Sequence, residues 1–322
     1  MKFSGKPILI IWVMFILAAP VFAIDVNDLQ KNVASFAEDM SKSLPFYSTI
    51  GLNWSDANIG SFPHFGIGLS TGLTTMDNKS INKMMTSFGI PEIKKLPLIG
   101  NSRFPLPAYT IDARIGLPVI PVDFGFKFGY LFPKWGKSLI DIEIRNMLIG
   151  ADVRYAVVNS KIIPIRFSVG LGFNHLNGGI TYSAPSLNFT DTASGLNLDA
   201  NKVDILWSTT NIELKMQVSF PFRIITPYAG AGIIYAFSSS AGYRASCLEK
   251  ISDDDKKRLE KLDVTGTSTN NFETIYKYKN SFNTRVFGGL SFNLAYVRLD
   301  LTGMYEFLGK NFGATLGLRF QM

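Results

Sequence analysis

The chain has 322 residues, of which 47% are hydrophobic, 13% aromatic and only 18% charged, with a mean hydropathy of +0.16. This balance excludes a disordered chain and is unusual for a water-soluble enzyme. The formal net charge of +7 is scattered rather than gathered into a basic stripe with interleaved aromatics, so no nucleic-acid partner is expected, and a single cysteine, Cys247, excludes an internal disulfide.

Lys2 and Lys6 precede an apolar stretch from Ile8 to Ala19, and Val21-Phe22-Ala23 places small residues at the −3 and −1 positions. This is the pattern of a signal peptide, residues 1–23, cleaved after Ala23, and it predicts an exported protein. No cysteine stands near that site, so a lipid-modified anchor is not expected. Beyond residue 23 there is no apolar run of 18 residues, the length a membrane helix needs. An apolar chain without such a helix must hide its surface in a core or show it to lipid through a closed barrel. The 28 Gly, 26 Phe and 12 Tyr favour strands.

Residues 24–60 read as an amphipathic helix and a lead-in. Val26, Leu29, Val33, Phe36, Ala37 and Met40 recur at helical spacing over 26–43. The helix is expected at the periplasmic mouth or in the lumen, where Val33, Phe36 and Met40 would form the face of a plug. Ile50, Leu52 and Trp54 alternate with Gly51 and Asn53, a lead-in or lumen segment unless they begin a further strand.

From residue 61 to 322 the period changes to two. A transmembrane strand of about 9–11 residues shows alternate side chains to lipid and lumen. Tyr109, Ile111, Ala113, Ile115 and Leu117 oppose Thr110, Asp112, Arg114 and Gly116; after Pro118–Pro121, Val122, Phe124, Phe126, Phe128 and Tyr130 oppose Asp123, Gly125, Lys127 and Gly129. Similar segments cover 163–174, 212–220, 227–237, 297–307 and 312–322, with weaker ones at 64–74, 147–156 and 282–292. The expectation is an all-β, antiparallel up-and-down transmembrane barrel of ten strands, twelve if the lead-in joins it. On this reading Phe126→Arg on the lipid face is more damaging than Gly125→Ser on the lumen face.

The turns near 118–121, 157–162, 221–223 and 293–295 are short. Those at 77–106, 183–202 and 240–277 are long, while 308–310 and 132–138 are short connections on the long side. With the C-terminus periplasmic, the long ones face outward as surface loops. In the last of them Ser252 caps Asp253–Asp255 and a basic stretch, a short helix suited to its dipole.

Chemistry is sparse. His64 and His175 have no metal-ligand spacing, Cys247 has no nearby histidine, and Asp253–Asp255 read as a solvated helix start. No catalytic, metal or cofactor site is expected, and the chain does not read as an enzyme. The informative charges point inward: Asp112, Arg114, Asp123, Lys127, Asp152, Arg154, Arg166, Glu213, Lys215, Arg285, Arg298, Asp300, Glu306 and Arg319. Ten strands enclose little more room than the eight whose side chains fill the interior. Mixed signs therefore favour a partly filled, ion-paired lumen over a wide channel.

Thr226–Phe237 resembles the P-Y-x-G-x-G strand of small outer-membrane barrels of the OmpW-like and OmpA-like kind. The final strand, with Phe320 near its end and Met322 last, resembles the one recognised by the barrel-assembly machinery. A helix ahead of the barrel is also similar to the hatch of fatty-acid-transporter barrels, without a diagnostic hatch motif. These resemblances imply a barrel in outer-membrane lipid, partnered by the assembly machinery. They imply passive uptake of small or hydrophobic solutes; the alternative is a surface adhesion or structural barrel acting through its long loops.

Overall fold

The computed structural model describes residues 23–54, 57, 64–89, 103–131, 142–159 and 164–322. The apolar signal-peptide stretch and the connection at 132–138 lie outside them. In chain order the elements are β1 (Ala23–Asp25), α1 (Val26–Tyr47), β2 (Phe65–Asp77), α2 (Asn78–Ser87), β3 (Arg103–Gly116), β4 (Val122–Leu131), β5 (Ile142–Val158), β6 (Arg166–Asp191), β7 (Leu196–Ser219) and β8 (Ile225–Cys247). There follow α3 (Asp253–Lys261), β9 (Gly266–Thr267), β10 (Asn271–Tyr278), β11 (Ser281–Leu294), β12 (Val297–Glu306) and β13 (Asn311–Gln321).

Among the described residues, ten strands pair into a closed antiparallel ring in the order β2, β3, β4, β5, β6, β7, β8, β11, β12, β13. The seam joins the first strand to the last, from Thr74 opposite Gly313 to Gly66 opposite Gln321. Alternation sets inside from outside: Phe126 is 58% exposed, whereas Asp112 and Asp123 are fully buried. Exposed aromatics crowd both ends of the apolar belt, with Tyr130, Phe237, Phe307 and Phe312 at one rim and Phe65, Tyr155, Tyr296 and Phe320 at the other. This is the surface of an outer-membrane-type barrel.

The two ends differ. At the turn end the chain reverses tightly, as where Leu117 N–H donates to the Val122 carbonyl at 2.9 Å. At the loop end β6, β7 and β8 run on, for 26, 24 and 23 residues in all, more than twice the length that crosses a membrane. The segment expected as a loop at 183–202 is thus largely strand, and 240–277 holds the end of β8, α3, β9 and most of β10. Beyond the ring, β10 pairs with β8, β9 with β10, and β1 lies parallel to the tip of β6. The ring and this projecting sheet share β6, β7 and β8.

A change of phase separates the two tiers. In β8, Ala236 faces Asn211 and Ser238 faces Thr210, so Phe237 is an extra residue, a β-bulge. Below it the even-numbered side chains point inward, as Ile234 and Ala236 do; above it Ser239, Ala241, Tyr243 and Ala245 are buried instead. On the partner side the ladder to β8 breaks between β10 and β11, where Asn280 adopts a left-handed φ of 58°. The inward chemistry changes at the same level. Asn174 gives way to Leu176 and Ile180, and Asn211 to Trp207, Ile205 and Val203, all buried.

That apolar tier determines where α1 lies. Asp25 caps the helix by accepting from the Asp28 N–H, and Val26, Leu29, Val33, Phe36, Ala37, Met40 and Leu44 are all buried. They pack chiefly on β8, β10 and α2, at the loop end. The expectation of a helix at the periplasmic mouth or inside the barrel is therefore corrected. An apolar face cannot settle among the charges of the ring, and the projecting sheet offers apolar partners.

Candidate functional site: a threaded lumen beneath a projecting sheet

What fills the ring is the segment after α1. At the loop end the Tyr47 hydroxyl donates to the Pro107 carbonyl and accepts from the Asn146 amide, the Ser43 hydroxyl accepts from Asn311, and the Lys42 carbonyl accepts from Asn283. At the turn end the His64 carbonyl accepts from Gly116 N–H at 2.8 Å. Between these points the described residues 48–54 and 57 lie within the lumen, Ala57 N–H donating to Ser219 Oγ on β7 at 3.0 Å.

The wall holds the backbone of this segment from all sides. Lys127 Nζ donates to the carbonyls of Ser48 and Ile50 at 2.8 and 2.7 Å. Lys215 Nζ reaches the Leu52 carbonyl at 3.2 Å, and Gln217 Nε2 reaches that of Trp54 at 2.7 Å. Leu52 N–H donates to Asp112 Oδ2 at 3.2 Å, and Asn211 Nδ2 donates to Ser48 Oγ at 2.8 Å. The Trp54 ring lies between the guanidinium groups of Arg319 and Arg114, 4.8 and 5.4 Å from its centre, a cation–π pairing away from water. Gly51 (φ 82°) and Leu52 (φ 54°) bend the segment, so Ile50, Leu52 and Trp54 do not continue as a strand. A Cβ on Gly51 would meet Thr110 Oγ1 at 2.7 Å and Asp112 Oδ1 at 2.9 Å.

Around the segment most of the other inward charges are paired. Arg114 bridges Asp123 at 2.6 Å and Asp152 at 2.8 Å; Arg154 binds Asp123 at 2.5 Å, and Lys215 binds Asp152 at 2.7 Å. On the opposite wall Arg285 pairs with Glu213 at 2.5 Å and Arg319 with Asp300 at 2.8 Å. Glu306 instead secures its own turn, accepting from the N–H groups of Leu308 and Gly309 at 2.7 and 3.0 Å. Arg166 and Arg298 are half-buried near the turn end, Arg166 donating to Asn159 at 3.2 Å. Buried ions need such partners, because desolvation costs more than weak attraction returns.

The structure thus brings Asp112, Arg114, Asp123, Lys127, Asp152, Arg154, Glu213, Lys215, Arg285, Asp300 and Arg319 together inside the ring, and leaves Val33, Phe36 and Met40 outside it. Ser48 and Asn211 were missed because single polar residues carry no period, whereas Gln217 lies on the inward face that the alternation of its strand predicts. The alternation at 50–54 was the one available signal. Gly125 also needs correction: a Cβ there would collide with Asp152 and come within 2.9 Å of both Arg114 Nη2 and Leu52 Cδ2. Serine at this lumen position is not tolerated easily.

The projecting tier has its own core. Phe189 meets Phe272 edge-on at 5.0 Å between ring centres, and Phe88 meets Tyr243 at 5.6 Å. Gln30 donates to Thr274 at 2.8 Å and Asn27 to Asp191 at 2.8 Å. The Ser194 hydroxyl and backbone N–H hold the Asp191 carboxyl below its usual range, with Asn27 adding to the effect. Helix α3, capped by Ser252, buries Leu259 and ties itself to the β6–β7 tip through Arg258 and the Gly195 carbonyl, 3.0 Å apart. Burial pushes the Cys247 thiol up to about 11.

His175 Nδ1 shares a 2.9 Å hydrogen bond with the Thr210 hydroxyl, and buried His64 faces Gln321. Among the described residues no group of three or more His, Cys, Asp or Glu is arranged to hold a metal ion.

The sequence model of the Lsa36-like family matches residues 25–322. The chain belongs to the Lsa36-like family. No curated protein matches it. Solved structures resemble it at low identity. The outer-membrane protease OmpT of Escherichia coli is 10% identical over 84% of this chain and 100% of its own, with a TM-score of 0.42. The translocator domain of the autotransporter NalP of Neisseria meningitidis is 8% identical over 95% and 100%, with 0.37. The attachment invasion locus protein Ail of Yersinia pestis is 10% identical over 81% and 99%, with 0.30. These values transfer no ligand or activity. The barrel assignment stands on the strand pairing and the surface.

Proposed function

We propose that this chain is a non-enzymatic outer-membrane barrel that presents its projecting tier at the cell surface, an adhesion or structural protein rather than an open uptake channel. One observation carries the reading: the lumen is occupied along its length by residues 48–54, bonded to β3, β4, β7, β11 and β13. A barrel with that interior offers no free path for a solute. Its distinctive mass stands beyond the loop end, where β6–β8, β10 and three helices form a folded unit. Lipid around the apolar belt and the assembly machinery at β13 are the partners this reading needs.

The test is accessibility combined with conductance. Protease or an impermeant label should reach α3 on intact cells, and the purified protein in planar bilayers should pass little current. Steady open-pore conductance by the unmodified protein would reverse the choice in favour of uptake.

A further inference from the structure

We infer that the amino-terminal part of the mature chain crosses the membrane through the barrel's own lumen, so that α1 is displayed on the same side as α3. This extends the surface reading, and its logic does not depend on which end faces outward.

The argument is topological. Tyr47 is fixed at the loop end by Pro107 and Asn146, and His64 at the turn end by Gly116. Between them, Ser48–Trp54 touch walls all around the ring: Lys127 on β4, Lys215 on β7, Arg285 on β11 through Asn53 at 3.0 Å, and Arg319 on β13. The ring is closed, β13 being paired with β2. Seventeen residues from 48 to 64 reach at most about 55–60 Å when extended, enough for a hydrocarbon core of about 30 Å. Every residue before Ser48 must therefore have passed the ring.

A formed helix with side chains is about 10–12 Å across, too wide for a lumen already packed with ion pairs. Helix α1 must accordingly pass as extended chain, or be in place before the β2–β13 seam closes, and fold afterwards on the projecting sheet. The lumen is suited to hold such a strand: its grips are lysine and glutamine side chains on backbone carbonyls, which do not depend on the side chains passing through. The barrel is thus the export route and then the anchor of its own amino-terminal helix.

Three reporters, each with one added cysteine, test this in the full-length protein: Lys31→Cys on α1, Lys257→Cys on α3, and Val119→Cys in the β3–β4 turn. Lys31 and Lys257 side chains are 77% and 74% exposed and Val119 is fully exposed, whereas Cys247 is buried and serves as the silent background. Intact cells are treated with a membrane-impermeant maleimide, before and after the outer membrane is permeabilised. The inference expects Lys31→Cys to react under the same condition as Lys257→Cys, with at least tenfold less labelling of Val119→Cys in intact cells. If Lys31→Cys instead reacts only together with Val119→Cys, threading is wrong. If Lys31→Cys and Lys257→Cys both require permeabilisation while Val119→Cys does not, threading stands and the surface reading fails.

Discussion

Glu213 and Arg285 meet inside the lumen over Gly232, with Oε1 2.5 Å from Nε. A Cβ on Gly232 would collide with the Glu213 carboxylate, so the absence of a side chain there lets β7 and β11 join across β8. Arg285 also holds Asn53 of the threaded segment, which links the wall's ion pair to the plug.

Arg285→Met should therefore destabilise the folded barrel by about 3–5 kcal/mol, the cost of leaving a buried partner uncompensated. The double variant Glu213→Leu with Arg285→Met should recover much of that loss. Urea unfolding in lipid vesicles measures both, and equal losses would show that the pair itself is not what matters.

Conductance separates the helix from the plug. Deleting residues 24–44 removes all but the last three residues of α1 and leaves Ser48–Trp54 and their wall contacts, so current should stay low. Deleting 24–57 empties the lumen and should raise single-channel conductance several-fold. Planar-bilayer recordings of the two truncations decide the matter, and a large current from the shorter deletion would mean that α1 is the seal.

Phe126→Arg and Gly125→Ser should both impair assembly, for different reasons. Arginine at the bilayer midplane costs about 2–4 kcal/mol in such barrels. Serine at 125 displaces Asp152, Arg114 or Leu52. The Gly125→Ser defect should be partly relieved by deleting 24–57, which removes Leu52 and leaves the Asp152 and Arg114 contacts, whereas the Phe126→Arg defect should not change. Heat-modifiable migration on gels reports assembly for each.

The wall was legible because lipid contact imposes one rule on every strand, as along Val122–Tyr130. The projecting tier was not, for two reasons. At Phe237 the bulge shifts the inward phase from even to odd positions, and above that level Leu176, Ile205 and Tyr243 turn inward while polar residues turn out. A reader following apolar-outward alternation therefore loses the strand where it continues. Helix α1 announced an apolar face, but a stripe of Val33, Phe36 and Met40 says only that something must cover it. The ion pairs required knowing which strands adjoin, since Arg114, Asp123 and Asp152 come from three different strands.

Acid should loosen the start of α1. The Asp191 carboxyl, which accepts from Asn27, is held below its usual value in the folded protein. Its contribution is thus fully present above the unfolded value of about 3.9 and is lost as pH falls through the lower folded value. Hydrogen exchange at the first turn of α1, corrected for intrinsic rates, should show falling protection below about pH 4. Asn27→Ala should weaken the tether at neutral pH and flatten the acid-induced change; an identical pH response in that variant would remove Asn27 from the account.

The most direct test of the threaded lumen is a cross-link between the segment and the wall. Asn211 Nδ2 and Ser48 Oγ are 2.8 Å apart, on β7 and just beyond α1. With Cys247→Ser removing the native thiol, Ser48→Cys and Asn211→Cys are introduced together and the protein is oxidised after assembly in cells. The account predicts one intramolecular disulfide in most molecules, shown by a gel shift reversed by reductant and by mass spectrometry of the joined peptides. Two free, readily alkylated thiols in a fully assembled barrel would contradict it.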